Sequence, residues 1–351
     1  GLGDVYKRQV LDTGDPDVLR ILGTLARHGS ALYNSFGDGF EDPGRRIQHR
    51  NSSPKEYSPV EFVYDRGFPT NDATICPEGL AALESDADDC PHCPSAAELP
   101  VDVRIANPLI CPFGFWSLQK IIERRDAVPP GVDVAGDQSF PLPNRRHLSP
   151  IDSVLFASSD RVTLEERDHT QQTLEALLPH AECAPSWTKW RQSLESQVPS
   201  LLLALPHHGV EGGLDYLEVG DEELPDGDRR LFRGQLIKEF VNPHRHEPGP
   251  IVLLLGCRTG AATDIGYVDM ARRFQQLPIS IVLGTLAKVL GQHAAPVARE
   301  IVAQLASVDD PDTDFGTIMQ RVRRRMLARG YLMALCLVAL GDAEWRLTPR
   351  P

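Results

Sequence analysis

From residue 151 onward the chain is built of short apolar runs with no hydrophobic–polar alternation, each parted from the next by other patterns. The runs are "DSVLFASS", "SLLLALPHHG", "PIVLLLGC", "ISIVLGTLA" and "YLMALCLVAL". An apolar run without a period of two belongs to a strand buried on both faces, and such strands occur in parallel sheets covered by helices on either side. Helix patterns separate them over "TLEERDHTQQTLEALLPHA" and over residues 266–275, 288–306 and 315–329, with "LDYLEVG" a shorter extended piece. The expectation is an α/β three-layer sandwich with a mostly parallel sheet over residues 151–351. In such sheets functional groups collect at the carboxyl ends of the strands.

The upstream region is less regular. Asp15-Pro16 opens a helix pattern that runs to Phe36, with apolar residues at Val18, Leu19, Leu22, Leu25, Ala26 and Leu32. "PVEFVYDR" predicts a strand, and "PFGFWSLQKIIERR" a short helix with aromatic anchors. Residues 126–150, rich in Pro, Gly and Asp, mark a boundary between an amino-terminal part (10–150) and the α/β core (151–351). "GLGDVYKRQ" lacks an initiator Met and resembles translated sequencing-adapter sequence. Residues 1–9 are therefore set apart from the fold, and the natural chain is expected to continue upstream.

Charge narrows the function classes. With 49 acidic and 36 basic residues the formal net charge is -13, and no extended basic face offers itself to phosphates, so nucleic acid is not the expected partner. Arg321, Arg323, Arg324 and Arg325 lie inside an amphipathic helix pattern and read as a solvated face. No apolar run approaches the roughly 20 residues of a membrane helix, and no signal-peptide pattern is present, so a cytoplasmic location is expected. Phosphate-loop spacing is absent as well.

Two of the apolar strands end in reactive side chains. "LLLALP" delivers His207 and His208, followed by Gly209; "IVLLLG" ends at Gly256 and delivers Cys257. If those strands are neighbours, an imidazole and a thiol meet at one sheet edge. A thiolate is the attacking species, and a nearby imidazole can take its proton and later pass one to a leaving amine. Gly209 and Gly256 would permit tight turns whose N–H groups face an oxyanion. A lone cysteine is more often a packing residue. That weighs less when a histidine precedes it by about 50 residues with both at strand ends, the spacing of caspase-type proteases.

"LLLALPHHG", "LEVG", "PIVLLLGCRTG", "VLGTLAKVLGQHAAPVA" and "ALGDAEWRL" together resemble the CHAT family of caspase-like proteins, related to caspases and separases. "LARHGSALYNSF", "PVEFVYDR" and "ICPFGFW" are similar to the amino-terminal part of a bacterial CHAT subgroup, so the resemblance covers nearly the whole chain. It implies a His–Cys dyad peptidase with Cys257 as nucleophile, acting as an effector in bacterial signalling or defence under an upstream sensor region. The His-Gly dipeptide of caspases maps onto His208-Gly209, whereas the histidine directly after proline, usual in the bacterial subgroup, maps onto His207. Adjacent residues of a strand point to opposite faces, so one of the two serves, and the reading leans to His207. A protein substrate or protein partner is implied. The rival reading is a caspase-like interaction module that has lost cleavage; a zinc-dependent hydrolase is a third.

"ICPEG", "CPHCP" and "ICPFGFW" place Cys76, Cys90, Cys93 and Cys111 in a turn-rich stretch, each followed by proline, with Cys90 and Cys93 a CxxC pair. Four thiolates there suit a tetrahedral structural zinc site; a catalytic zinc would keep one position for water. Disulfides or free thiols are the alternatives, and disulfides need an oxidising compartment. Cys183 and Cys336 read as packing residues, His244 and His246 as members of an exposed loop, and His293 as a hydrogen-bonded helix histidine. Asp160 and Arg161 follow the first strand of the core, where either could bear on substrate charge, and Gly284-Thr285 sits where a substrate loop would leave the sheet.

Overall fold

The computed structural model describes residues 15–37, 40, 43–50, 58–94, 98–125, 147–256, 266–286, 289 and 291–350. In chain order the main elements are α1 (Pro16–Asn34), β1 (Arg46–Arg50), β2 (Pro69–Ile75), α2 (Pro77–Glu84), β3 (Asn107–Ile110), β4 (Ile121–Arg125), β5 (His147–Leu148), β6 (Ser153–Ser158) and α3 (Leu164–Leu177). There follow β7 (His180–Cys183), α4 (Trp187–Ser196), β8 (Leu201–Leu205), β9 (His207–Glu211), β10 (Leu214–Glu218), β11 (Arg230–Phe232) and β12 (Ile251–Leu254). The last are α5 (Gly266–Gln275), β13 (Ile281–Thr285), α6 (Gly291–Ala306), α7 (Phe315–Ala328), β14 (Leu337–Gly341) and β15 (Arg346–Leu347).

The chain is mixed α/β around one large sheet of order β1-β4-β14-β13-β12-β8-β6-β7. Its ladders are parallel except that between β13 and β14. The apolar runs supply both faces of the sheet, as a double-sided strand must. Phe156, Leu203, Leu253 and Leu283 face one core with Leu174 of α3, Ile301 of α6 and Phe315 of α7. Leu155, Leu202, Leu254 and Val282 face the other with Trp187 and Trp190 of α4 and Phe274 of α5. The amino-terminal strands β1 and β4 extend this same sheet beyond β14.

Several local expectations are corrected. The run "SLLLALPHHG" breaks at Pro206, which has no N–H for the ladder; β8 stays in the large sheet and β9 starts a separate three-stranded sheet of order β11-β10-β9. "PVEFVYDR" is not a strand: Val60–Phe62 form a 3₁₀ turn, and Val60, Glu61, Val63, Tyr64, Asp65 and Arg66 are all buried. Its strand-type pairing among the described residues is a single bridge between Tyr64 and Phe115. "PFGFWSLQKIIERR" holds one helical turn, Trp116–Gln119, before the β-branched Ile121-Ile122 start β4. "YLMALCLVAL" is extended only from Leu337; Leu332–Cys336 form a 3₁₀ turn.

The arginine cluster is also different from its expected solvated face. Arg323 and Arg324 are buried. Arg324 donates to the carbonyls of Leu118 (2.9 Å), Ala87 (2.9 Å) and Asp88 (3.0 Å) and lies over the Phe113 ring, while Arg323 donates to the Leu337 carbonyl. On a helix packed on two sides, a long stem can bury while its planar head satisfies loop carbonyls. Cys183, expected in packing, is exposed on β7 at the edge of the sheet. Among the described residues no helix is long and apolar enough to cross a membrane.

Candidate active site and metal centre

Strand order brings the two reactive strand ends together. β8 and β12 are parallel neighbours, with Leu253 opposite Leu203 and Leu254 opposite Ala204. Leu255 N–H donates to the Ala204 carbonyl at 3.1 Å, so the chains leave the sheet side by side at Pro206 and at the buried Gly256. Cys257 lies outside the described residues, with the rest of 257–265. The strand order reverses one strand away, between β6 and β8: β7 lies on one side of β6, and β8, β12 and β13 lie successively on the other. Such a switch point leaves a crevice beyond the carboxyl ends of the flanking strands, where α/β sheets bind ligands.

β9 and β10 form a hairpin over this edge. Glu211 and Leu214 pair across Gly212 and Gly213, whose φ angles of 57° and 79° are those of the two-residue turn that matches strand twist. The register puts His207 opposite Glu218, His208 opposite Leu217 and Gly209 opposite Tyr216. The two histidines consequently face opposite ways. His207 is half-buried and, with Arg161, Tyr216, Glu218 and Arg229, lines a polar cleft of about 350 Å³. His208 is buried, and its Nε2 is 3.1 Å from Asp215 Oδ1.

Gly209 does not form the turn expected of it. It lies within β9, and a Cβ there would stand 2.3 Å from the Tyr216 ring. The glycine is required by an aromatic ring laid across the neighbouring strand, an arrangement known from sheets where aromatics cover glycines. In the cleft, Arg161 pairs with Glu222 at 3.3 Å, and the buried Glu218 accepts from Arg230 at 3.1 Å. Thr285, at the end of β13, is buried with no described partner for its Oγ1. Asp215 and Glu218 escaped the sequence reading; the signal was "VEGGLDYLE", where pairing across Gly-Gly sets both against the histidines.

The second cluster is built by α2 and three loops. Cys76 is the N-cap of α2, its Sγ accepting from Gly79 N–H at 3.3 Å. Cys111 precedes a 3₁₀ turn, and its N–H donates to the Tyr64 hydroxyl at 2.9 Å. Cys90 and Cys93 lie in the loop after α2, held by Arg66, which donates to the Cys93 carbonyl and to both Asp89 oxygens. All four thiols are buried, and their sulfurs lie within 4.8 Å of one another. Cys76 Sγ is 3.8 Å from Cys90 Sγ and 3.6 Å from Cys93 Sγ. A tetrahedron with metal–sulfur bonds of ~2.3 Å requires sulfurs ~3.8 Å apart. Gly79 completes the cradle, since a Cβ there would meet Cys111 Sγ at 3.2 Å. These four residues could hold a metal ion.

Thiol acidities reflect the crowding. Hydrogen bonds from the Cys111, Cys76 and Cys90 side chains offset burial and bring Cys93 down to about 6. Burial pushes Cys76 up to about 12, and the bond to Cys93 together with burial raises Cys111 still further. Four sulfurs in one cavity hold a single negative charge with ease and further charge only against a cation.

The remaining candidates take structural places. His244 lies with its Nε2 3.2 Å from the Glu195 carbonyl and its ring tilted against His246. His293 is buried on α6, which lowers its basicity. Cys336 is buried, its thiol pushed up to about 12 by desolvation.

No family model matches this chain, and no curated protein matches it. Among solved structures it has a weak likeness to the Saccharomyces cerevisiae separase–securin complex, with a TM-score of 0.39 and 15% identity. The match covers 68% of this chain and 15% of that one, so the chain spans a small fraction of that protein's length. What is established from the chain itself is a mixed α/β fold with a large, mostly parallel sheet, two histidines at a strand end beside β12, and four buried thiols gathered within metal-binding distance.

Proposed function

We propose that this chain is a caspase-like cysteine endopeptidase of the CHAT type. In this reading Cys257 is the nucleophile and one of His207 and His208 is the base. The observation that carries it is the pairing of β8 with β12, which sets the end that leads to the histidines beside the end that leads to Cys257. The imidazole takes the thiol proton, and the thiolate attacks a peptide carbonyl. The tetrahedral adduct expels the amine, which leaves with that proton, and the resulting thioester is hydrolysed by water to acid and free thiol. The crevice lined by Arg161, His207 and Glu218 would receive substrate side chains. The CHAT resemblance of the sequence adds a bacterial cytoplasmic effector role, under control of a partner or an upstream region.

The four cysteines complete the proposal as a structural zinc site. Zinc accepts four thiolates without redox chemistry and, with all positions filled by sulfur, leaves none for water. It would hold the loop between α2 and β3 against the core and take no part in peptide cleavage.

The test is the alkylation rate of each cysteine against pH, read by peptide mass spectrometry, for the native chain and for a variant with His207 and His208 both changed to Ala. Fast reaction of Cys257 near neutral pH, lost in the variant, is the expected result. A Cys257 as slow as the buried Cys336 in both proteins overturns the reading.

A further inference from the structure

We infer that the outward face of the small sheet β11-β10-β9 is a docking surface for a basic segment of another protein, one that sets large apolar side chains between its lysines or arginines. The inference goes beyond the peptidase reading and does not use it: such a segment would be held whether or not any peptide is cleaved.

Strand register defines the face. Residues of one parity turn inward: Leu217 and Leu231, opposite each other, belong to the apolar cluster that holds Trp187 of α4 and Phe274 of α5. Residues of the other parity turn outward, where an antiparallel sheet with one buried face ordinarily carries polar side chains. This one carries Leu214 and Tyr216 on β10 and Phe232 on β11. Phe232 lies opposite Tyr216, their ring centroids 5.5 Å apart, and Leu214 is two residues along β10, so the three form one strip. Both aromatic side chains are half-buried. The strip is closed at the Glu218 end, where the carboxylate residue is 3% exposed, and opens toward the Gly212-Gly213 turn, where Leu214 is 63% exposed. On β9 the Tyr216 ring takes the place of a side chain at Gly209, so the middle of that strand adds nothing that stands over the strip. Single apolar side chains in water are ordinary; a contiguous apolar strip gains from being covered.

The charges around the strip select what covers it. Residues 207–232 hold eight carboxylates and two arginines, so this small sheet and its connecting loop carry -6 of the chain's formal charge of -13. Three of the carboxylates share one guanidinium: Arg230 is 3.0 Å from Glu211, 3.1 Å from Glu218 and 3.1 Å from Asp226. On the loop, Asp221 pairs with Arg167 and Glu222 with Arg161, and Glu223 beside them is exposed, as are Glu211 and Asp226. Carboxylates outnumber the arginines that meet them, and each offers about four lone-pair sites, so an incoming lysine or arginine finds acceptors to spare. An acidic segment or a nucleic acid is repelled. A second copy of the chain would set these carboxylates against their like, because a two-fold contact joins a patch to itself. The occupant that matches both the strip and its rim is a cationic segment with apolar side chains.

Fluorescence anisotropy of the full chain with short labelled peptides tests this. The probe is a peptide of lysine, serine, phenylalanine and leucine with the lysines spaced between the apolar residues. One control peptide has every lysine replaced by glutamate, and the other has every phenylalanine and leucine replaced by serine. The probe is expected to bind, more weakly as salt rises, and both controls to bind at least about tenfold more weakly than the probe. Leu214→Ser, at a side chain already in water, should weaken the probe about tenfold and leave its salt dependence in place. Glu222→Lys combined with Glu223→Lys should weaken it and flatten the salt dependence. Leu164→Ser on α3, also 63% exposed, should change nothing, and thermal unfolding checks that every variant is folded. A probe that does not bind overturns the inference, as does equal binding of either control peptide, or a Leu214→Ser chain that binds the probe like the native one. Sedimentation that finds a dimer of the native chain and a monomer of Leu214→Ser gives the face to a second copy and overturns it as well.

Discussion

Arg66 donates to the carbonyl of Cys93 at 2.5 Å and grips both oxygens of Asp89 at 2.8 Å. A buried guanidinium thus holds the CxxC loop with its thiols turned toward Cys76 and Cys111. With the loop so placed, metal binding needs little rearrangement. Native mass spectrometry is expected to find one zinc per chain, and Cys76→Ser to lose it. Hydrogen exchange should then rise across residues 60–120, because metal binding energy is folding energy for a segment with little core of its own. Lowering the pH should weaken the metal, since protons compete for the thiolates. A chain that purifies without metal and takes up none removes the structural-zinc reading.

Arg324 is a second anchor for the same loop, from the opposite side. Its three nitrogens satisfy the carbonyls of Leu118, Ala87 and Asp88. Arg324→Met keeps the stem and leaves three carbonyls without that partner, at an expected cost of roughly 3–5 kcal/mol. Arg324→Lys should recover less than half, because a point charge cannot span the three acceptors as the planar fork does. Chemical denaturation measures both; equal stability of the Lys variant and the native chain contradicts the account.

Much of the core was legible because burial on both faces leaves a mark that one-sided burial does not. Leu201–Leu205 and Ile281–Thr285 could be little else than central strands. α5 was placed to the residue by its periodicity. The helix α4 went unread, although Ser186 caps it and Trp187, Trp190 and Leu194 make its apolar stripe; its polar residues diluted the pattern. β7 is a polar edge strand, with no apolar signal to find. At the site, the thiol and imidazole residue types were visible, but the choice between His207 and His208 depends on hairpin register. That register is fixed by Gly212-Gly213, whose pairing with the turn type is visible only once the strands are aligned. The buried places of Arg323 and Arg324 depend on loops that approach α7 from far along the chain, over a separation of more than 200 residues for Leu118.

Gly209 carries a test of the hairpin itself. The Tyr216 ring lies where a Cβ would go and is held by Arg230 above it, 5.0 Å from the centroid, and by Phe232 at 5.5 Å. With the ring pinned, Gly209→Ala should cost about 1–3 kcal/mol through overpacking. Gly209→Ala combined with Tyr216→Ala should be less destabilised than the sum of the two single variants, because the clash is gone. Thermal unfolding of the three variants decides it, and strict additivity would rule the clash out.

Glu61 and Arg124 form a fully buried ion pair, with both Nε and Nη2 of the arginine bonded to the carboxylate. Burial alone would raise the Glu61 carboxyl, but the Arg124 charge and its hydrogen bonds outweigh it and hold the group below its ordinary value. The folded chain therefore binds this proton more weakly than the unfolded one. The stabilisation is present above the ordinary Glu value of about 4.3 and is lost as the pH falls through the lower folded value. Glu61→Gln leaves the Arg124 charge buried without its counter-ion, at an expected cost of about 3–5 kcal/mol at neutral pH. Because the variant has no proton to take up at this position, its stability should fall less steeply than the native chain's below about pH 4. Arg124→Met added to Glu61→Gln should return part of the loss, since the uncompensated charge is then removed. Urea denaturation of the three proteins between neutral and acid pH reads all of these, and parallel pH curves for native chain and Glu61→Gln would show that the pair does not set acid stability.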